Sequence, residues 1–365
     1  MFRRLSRQVG FALCALLVVV PGIATALPSR APRPPVPQRI VAVGDLHGDC
    51  SAWRDIARAA GLVDARNRWI GGRTTLVQDG DVADRGPDTL KIIRDLQRLQ
   101  REAPRAGGRV VTMVGNHEAM NVTDDLRYVT AGEFAAFADR DSASRRSSVY
   151  AANRAAIETA ARSQNPSLSR DAIRDAWLKA TPLGMIEHQI AWHPGGELGK
   201  WVASNPAVVL IGDTLFVHGG ISATYAAMPI DEINRRVAAA LAAGETAPTS
   251  IINDPAGPLW YRGLISRAKD IDETPTPPAT AAPPAKPRPS IDEEIDIALK
   301  AYGAKRMVIA HTPILSGIAV THGGKLIRID TGISQYYGGK LTYLEIIGDQ
   351  VIPHTVNRTS ARCAK

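Results

Sequence analysis

Five short apolar runs end in the same way, and this repetition constrains the fold more than any other property of the chain. RIVAV (39–43) runs into Gly44-Asp45-Leu46-His47, TTLVQ (74–78) into Asp79-Gly80-Asp81, and RVVTMV (109–114) into Gly115-Asn116-His117-Glu118. TLFV (214–217) runs into His218-Gly219-Gly220, and RMVIA (306–310) into His311-Thr312-Pro313. Each run has the length and composition of a buried strand. Packing gains nothing from ending such strands in carboxylate, imidazole and amide groups. In open α/β sheets, ligands sit outside the carboxyl ends of the strands. The pattern therefore predicts that Asp45, His47, Asp81, Asn116, His218 and His311 converge.

Helix patterns separate the first three runs. One spans about Ser51 to Ala60 and stops at Gly61; the other, TLKIIRDLQRLQRE, follows Pro87 at a favoured first helical position. The order β-α-β-α-β predicts a layered α/β sandwich. Residues 121–206 then turn rich in Ala, Arg, Glu and Asp, with helical stretches GEFAAFADRDS and SRDAIRDAWLKA. They read as a mostly helical insertion, a cap over the site or an outer layer. Strands resume at AVVLIG (207–212). A helix capped by Ser290 leads into RMVIA, and KLIRID (325–330), LTYLEII (341–347) and QVIPHTV (350–356) read as further strands. The Pro-rich stretch 273–290 reads as a flexible loop within one domain spanning 39–360.

The N-terminus carries Arg3, Arg4 and Arg7, then FALCALLVVVPGIA, then the small residues Ala24-Thr25-Ala26. This is the layout of a secretory signal peptide over 1–26, with Cys14 in its core, and not of a membrane span. A Pro-rich linker covers 27–38. Export would place the mature chain in the periplasm or outside the cell. Losing three arginines takes the formal charge from +8 to +5, which suits anionic substrates. With 5% aromatic residues and no basic motif interleaved with aromatics, nucleic-acid binding is not expected. Cys50 and Cys363 could pair in an oxidising compartment, but two cysteines make no disulfide framework, and unpaired thiols are the expectation.

The converging set contains carboxylates, imidazoles and an amide but no thiolate, which suits zinc, manganese, iron or magnesium. Six ligands are too many for one tetrahedral site, but two ions sharing a bridging carboxylate would use them. Two metals about 3.5–4 Å apart can generate a hydroxide and clamp a phosphoryl group.

Gly44-Asp45-Leu46-His47-Gly48, Gly80-Asp81-Val82-Ala83-Asp84-Arg85-Gly86 and Gly115-Asn116-His117-Glu118 resemble the three signature blocks of the PPP-type, calcineurin-like metallophosphoesterases. His218-Gly219-Gly220 and His311 resemble that family's later metal-binding histidines. The insertion, EAMNVTDDLRYV, HTP and IDTGIS resemble the Shewanella-like protein phosphatase branch. The likeness spans roughly 39–347. It implies an α/β/β/α sandwich and two divalent metal ions (manganese, iron or zinc). Asp45 and His47 would hold the first metal and Asp81 would bridge both. Asn116, His218 and His311 would complete the second site. A metal-bridging hydroxide would attack phosphorus, with His117 as general acid paired to Asp84. Arg85, Asn116 and, on a looser alignment, Arg262 would bind substrate phosphate.

The resemblance implies a phosphomonoesterase, in the form of a protein phosphatase acting on phosphotyrosine or phosphoserine/threonine. A nucleotide or dinucleoside-polyphosphate hydrolase and a catalytically silent metal-loaded binding protein are the alternatives. It gives Asp79 no catalytic task; capping the turn or supporting the metal shell from behind are open to it, and an exposed turn residue is the expectation. His188 and His193 are expected to be surface or packing residues, and His322 and His354 carry no motif.

Overall fold

The apolar runs become strands whose ends fall within two residues of those read from the sequence. The structure, a computed structural model, describes residues 38–267, 288–359 and Cys363. The expected signal peptide, the expected linker up to residue 37 and most of the 273–290 stretch lie outside the described residues. In chain order the elements are β1 (Arg39–Val43), α1 (Cys50–Ala59), β2 (Thr75–Gln78), α2 (Thr89–Glu102), β3 (Arg109–Thr112) and α3 (Asn116–Val122). The insertion supplies α4 (Ala131–Phe137), α5 (Ser142–Gln164), α6 (Arg170–Ala180), α7 (Met185–Trp192) and α8 (Glu197–Ala203). Then come β4 (Val208–Ile211), β5 (Thr214–Val217), α9 (Ile230–Ala243), α10 (Ile291–Tyr302), β6 (Arg306–Ile309), β7 (Ala319–Thr321), β8 (Leu326–Arg328), β9 (Leu341–Ile347) and β10 (Gln350–Val356).

Two five-stranded sheets form, in the orders β10-β9-β1-β2-β3 and β4-β5-β6-β8-β7. In the first, β1, β2 and β3 are parallel, with Val41 opposite Leu76 and Leu76 opposite Val110, while β9 runs antiparallel to β1. In the second, β5, β6 and β8 are parallel. Side chains alternate across each strand. Ile40, Ala42 and Val77 of one sheet meet Phe216, Val308 and Ile327 of the other in a shared inner core. The alternate residues, such as Val41, Val43, Leu215 and Met307, pack with helix residues including Trp53, Ile56, Ile93, Leu96, Ile233 and Ile295. This is the expected α/β/β/α layering, and burial on both faces explains why the strands read as continuous apolar runs.

Local signals set the helix ends. Asp49 caps α1 by accepting the Ala52 N–H at 3.0 Å. Ser290 and Glu293 form a capping box on α10, which ends at left-handed Gly303. By contrast, α2 begins two residues after Pro87, because the Asp88 N–H is drawn to the Gly48 carbonyl at 3.0 Å. The short β7 carried no sequence signal.

One expectation is overturned. Cys50 and Cys363 are disulfide-bonded, with their Cα atoms 5.8 Å apart. Strand β10 returns beside α1, and the residues after it tie down there. Arg358 donates to the Asp49 carboxylate at 2.7 Å, and Thr359 donates to Asp55 through both its N–H and its hydroxyl at 2.7 Å. A pairing across 313 residues is set by this topology, which two isolated cysteines cannot signal.

Candidate active site

The loops after β1, β2 and β3 lie against one another. The N–H groups of Leu46 and His47 both donate to the Asp81 carbonyl at 2.9 and 3.0 Å, and Gly48 donates to Val82 at 2.8 Å. The approach is close enough to demand glycine at two points. A Cβ on Gly48 (φ +63°) would lie 2.4 Å from the Gly86 carbonyl, and one on Gly115 would lie 2.1 Å from the Asp81 carboxylate. His47, Asp81, Asp84, Arg85 and His311 all have positive φ, a conformation that costs non-glycine residues energy and persists only where the surroundings enforce it. Glu118 supplies much of that enforcement. Its buried carboxylate accepts the N–H groups of Gly115, Asp81, Val82 and Ala83 at 2.8 to 3.0 Å. Burial and the nearby Asp81 push its pKa up.

The six residues marked by the strand-end pattern come together. Asp81 Oδ2 lies 3.2 Å from His218 Nε2 and 3.9 Å from His47 Nε2. His218 Nε2 lies 3.1 Å from Asn116 Oδ1, and Asp45 Oδ2 lies 3.8 Å from His47 Nε2. His311 donates its N–H to Asp45 at 3.3 Å, with its ring centroid 5.0 Å from that of His218. Two groups result, His47–Asp81–His117 and Asp81–His218–His311, each with its donor atoms within 4.8 Å of one another. Asp81 belongs to both. Backbone carbonyls aim two of the rings: His47 Nδ1 bonds Ala83 at 2.9 Å and His218 Nδ1 bonds Asp79 at 2.7 Å, which turns each Nε2 inward.

The electrostatics are severe for buried groups. Burial and the neighbouring Asp330 push Asp45 well above the usual carboxylate range. Burial, with the charge of His117, drives His47 down to about 3. Burial opposes ionisation of Asp81, but His218 and His117 overcome it and hold Asp81 well below its ordinary value. Burial likewise opposes a charged His218, but Asp81 overcomes it and His218 rises to about 10. Burial and the charge of Arg262 push His311 down, and its buried Nε2 has no hydrogen-bond partner. A partnerless imidazole nitrogen among carboxylate and amide oxygens, with no thiolate near, fits a divalent cation.

Beside this cluster sits a second arrangement. His117 Nδ1 lies 2.5 Å from Asp84 Oδ2, while His117 Nε2 lies 4.0 Å from Asp81 Oδ2. Burial would lower the His117 pKa, but Asp81 and Asp84 outweigh it and raise it. The Arg85 fork reaches to 3.5 Å from His117 Nε2. Its guanidinium lies over three tyrosine rings, Tyr128, Tyr336 and Tyr337, at 4.5, 4.9 and 5.1 Å. Tyr336 is 62% exposed. Arg262 is half-buried and close enough for its charge to act on His311.

Other residues fall elsewhere. Asp79 is not an exposed turn residue: it is fully buried, because its N–H pairs with the Val43 carbonyl and extends the sheet past the end of β2. His188 is a packing residue among Phe134, Phe137 and Trp192. His193 is exposed, His322 pairs with Asp292, and His354 stacks on Tyr343 and pairs with Glu345. Sequence reasoning missed the bracing roles of Glu118 and Asn121, and it missed Asp330, Glu133 and the tyrosines around Arg85. Asp330 follows KLIRID's apolar residues and is pushed by burial to about 6 beside Asp45. It carried the same signal as the other strand ends.

Comparison with known proteins agrees with this architecture. The calcineurin-like phosphoesterase family profile matches residues 38–341. Shewanella-like protein phosphatase 2 of Arabidopsis thaliana is 34% identical over 310 residues, covering 82% of this chain and 72% of the relative. An uncharacterized protein of Schizosaccharomyces pombe is 29% identical, covering 85% and 77%. Among solved structures, the cold-active protein-tyrosine phosphatase of a psychrophilic Shewanella shares the fold, with a TM-score of 0.59 and 21% identity, covering 88% of this chain and 80% of that one. The strand-end donors, the shared carboxylate and these matches make the chain a member of the calcineurin-like phosphoesterase family, a metal-dependent phosphatase of the Shewanella-like protein phosphatase branch.

Proposed function

We propose that this phosphatase removes phosphate from phosphorylated proteins or peptides, with His117 as the acid for the leaving group. The observation that carries the reading is the His117–Asp84 pair standing beside a carboxylate, Asp81, that is common to two donor groups. Two divalent ions, held by Asp45, His47, Asp81, Asn116, His218 and His311, would supply charge neutralisation for phosphate and lower the pKa of a water nucleophile.

The chain's own residues account for the rest. Asp84 takes Nδ1 of His117 and leaves Nε2 to present a proton to the ester oxygen. Asp84, bonded to Nδ1, favours the protonated imidazole and keeps the ring aimed. Arg85, steadied by three aromatic faces, offers a planar fork to the phosphate oxygens. Arg262 would add a second positive charge on the His311 side. Glu118 holds the loops so that these groups need not reorganise during turnover. The Arabidopsis thaliana relative, named as a protein phosphatase, supports a phosphoprotein substrate, and the name of the Shewanella structure favours phosphotyrosine.

The purified protein is expected to hydrolyse p-nitrophenyl phosphate, to lose activity with a chelator and to regain it with manganese or zinc. No hydrolysis with any divalent metal, despite bound metal, would sink the reading. A kinetic panel of phosphotyrosine peptide, phosphothreonine peptide and diadenosine tetraphosphate then sorts the substrate class. Preference for the dinucleotide would move the protein among nucleotide hydrolases.

We also propose export to the periplasm. The signal-peptide layout of residues 1–26 motivates this, and the Cys50–Cys363 disulfide supports it, since such bonds persist in oxidising compartments. A periplasmic protein beginning at Leu27 by mass spectrometry is expected; a cytoplasmic protein retaining residues 1–26 would refute it.

A further inference from the structure

Besides Tyr128 over Arg85, the helical insertion sends a buried carboxyl group toward the site. Glu133, on α4, is 0% exposed, and its Oε1 lies 3.5 Å from the Asp84 backbone nitrogen. Asn121 approaches Asp84 from another side. It stands one turn along α3 from His117, and its Nδ2 donates to Asp84 Oδ1 and to the His117 carbonyl, both at 2.9 Å. Asp84 thus has His117 and Asn121 on its carboxylate and Glu133 behind its backbone. Its own φ is +72°, so the backbone needs such support to stay where it is.

A simpler explanation of Glu133 is helix capping. Thr130 caps α4 by accepting the Glu133 N–H at 3.3 Å, and T-x-x-E is the capping-box pattern. A capping glutamate, however, works equally well in solvent. Here a second carboxyl group is buried against Asp84, near the Thr89 side chain and the Thr130 backbone, and its Oε2 makes no close hydrogen bond. That arrangement opposes folding and gives a cap nothing in return. Burial and the charge of Asp84 push Glu133 up to about 8, so it carries a proton near neutral pH. A neutral acid can brace Asp84 without competing for the imidazole, and Asp84 remains the one carboxylate in contact with His117 Nδ1.

Resting on the reading of His117 as the acid, we propose that Glu133 and Asn121 are positioning residues for the leaving-group step, fixing Asp84 and through it the His117 ring. Neither residue touches the reacting atoms. Their effect should therefore scale with how much the leaving group needs a proton.

The test compares kcat on p-nitrophenyl phosphate, whose leaving group needs little protonation, with kcat on phenyl phosphate, whose leaving group needs much. The metal-loaded enzyme is used throughout, with metal content measured for each variant. His117→Ala serves as the reference and should lose far more on phenyl phosphate. Asn121→Ala and Glu133→Ala should show the same bias, losing roughly 10–100-fold on phenyl phosphate, the scale of losing a support residue, with metal content unchanged. Glu133→Gln keeps the neutral shape and should recover most of what Glu133→Ala loses. Equal losses on both esters, or a glutamine variant no better than alanine, would overturn the proposal. If Glu133→Ala does not fold, the ester bias of Asn121→Ala and Glu133→Gln decides alone: a bias in Asn121→Ala that Glu133→Gln lacks supports the proposal, and no bias in Asn121→Ala overturns it. A His117→Ala variant without bias would instead refute the acid assignment, so the two failures are distinguishable.

Discussion

Asp79 holds His218 with its backbone and not with its side chain: the carbonyl takes Nδ1 at 2.7 Å, while both carboxylate oxygens lie buried with no hydrogen-bond partner. The ring is therefore aimed by a group that mutation cannot remove. Asp79→Asn should keep full metal content and change kcat by no more than roughly threefold. Asp81→Asn, which alters the shared carboxylate, should lose metal. Elemental analysis of both variants checks the contrast.

His117→Asn removes the proton donor but leaves Asp81, His218 and His47 in place. Turnover should fall by about 10²–10⁴-fold, the range for losing a general acid, with metal content intact. Metal loss in this variant would make His117 a ligand, a role its place in the His47–Asp81–His117 group would then serve.

Arg85→Lys keeps the charge but loses the flat fork that lies over Tyr128, Tyr336 and Tyr337. A rise in KM of roughly tenfold is expected, equivalent to about 1.4 kcal/mol, together with weaker inhibition by inorganic phosphate. A change confined to kcat would show that Arg85 does not grip phosphate in the ground state.

Stability in acid should depend on Glu345. Burial raises its pKa, but Arg39, at 2.5 Å, and His354, at 2.9 Å, overcome this and hold it below 4.5. A carboxylate with a depressed folded pKa stabilises the fold above its unfolded value and ceases to do so as pH falls through the folded one. Glu345→Gln should therefore lower Tm at pH 7, and the gap to wild type should shrink as pH drops below 4.5. A gap that stays constant down to acid unfolding would show that the ion pair contributes nothing.

Cys363→Ser opens a covalent link spanning 313 residues. A loss of about 2–5 kcal/mol is expected from urea unfolding, the usual range for a native disulfide. Because Asp49 and Asp55 still hold Arg358 and Thr359, the metal content should not change. Unchanged unfolding would mean that those polar contacts alone secure the tail.

Much of this architecture was legible in the residues themselves. The apolar runs at 39–43 and 214–217 match strand bounds to the residue, because strands buried on both faces carry a continuous apolar signal; 341–347 also matches, although Thr342 and Glu345 interrupt its apolar residues. The convergence of Asp45, Asp81 and His311 could be read because each follows a strand directly. Glu133 could not be read this way: it belongs to a helix whose docking onto the Asp84 loop is set by tertiary packing. Asn121 lies in the EAMNVTDDLRYV segment, whose resemblance assigns it no role, and only its distance to Asp84 gives it one. The burial of Asp79 escaped notice because a turn aspartate is usually solvated, and nothing local shows that its N–H continues the sheet by pairing with Val43. The Cys50–Cys363 bond depends on β10 lying beside α1, a relation with no local signature.

The order of strands in the first sheet has a consequence for how the chain is made. β1 is among the first elements to leave the ribosome, yet its neighbour β9 lies about 300 residues later, pairing Arg39 with Ile347 and Ala42 with Leu344. Until then one edge of β1, with its unpaired backbone groups and the apolar Ile40 and Val41, has no partner. The loop bearing Asp45 and His47 hangs from that strand. The earliest ligands to be synthesised are thus among the last to be fixed, and a chain stopped short of β9 would carry all six ligand residues while the sheet that bears Asp45, His47, Asp81 and Asn116 stayed open along β1 and prone to pair with its neighbours.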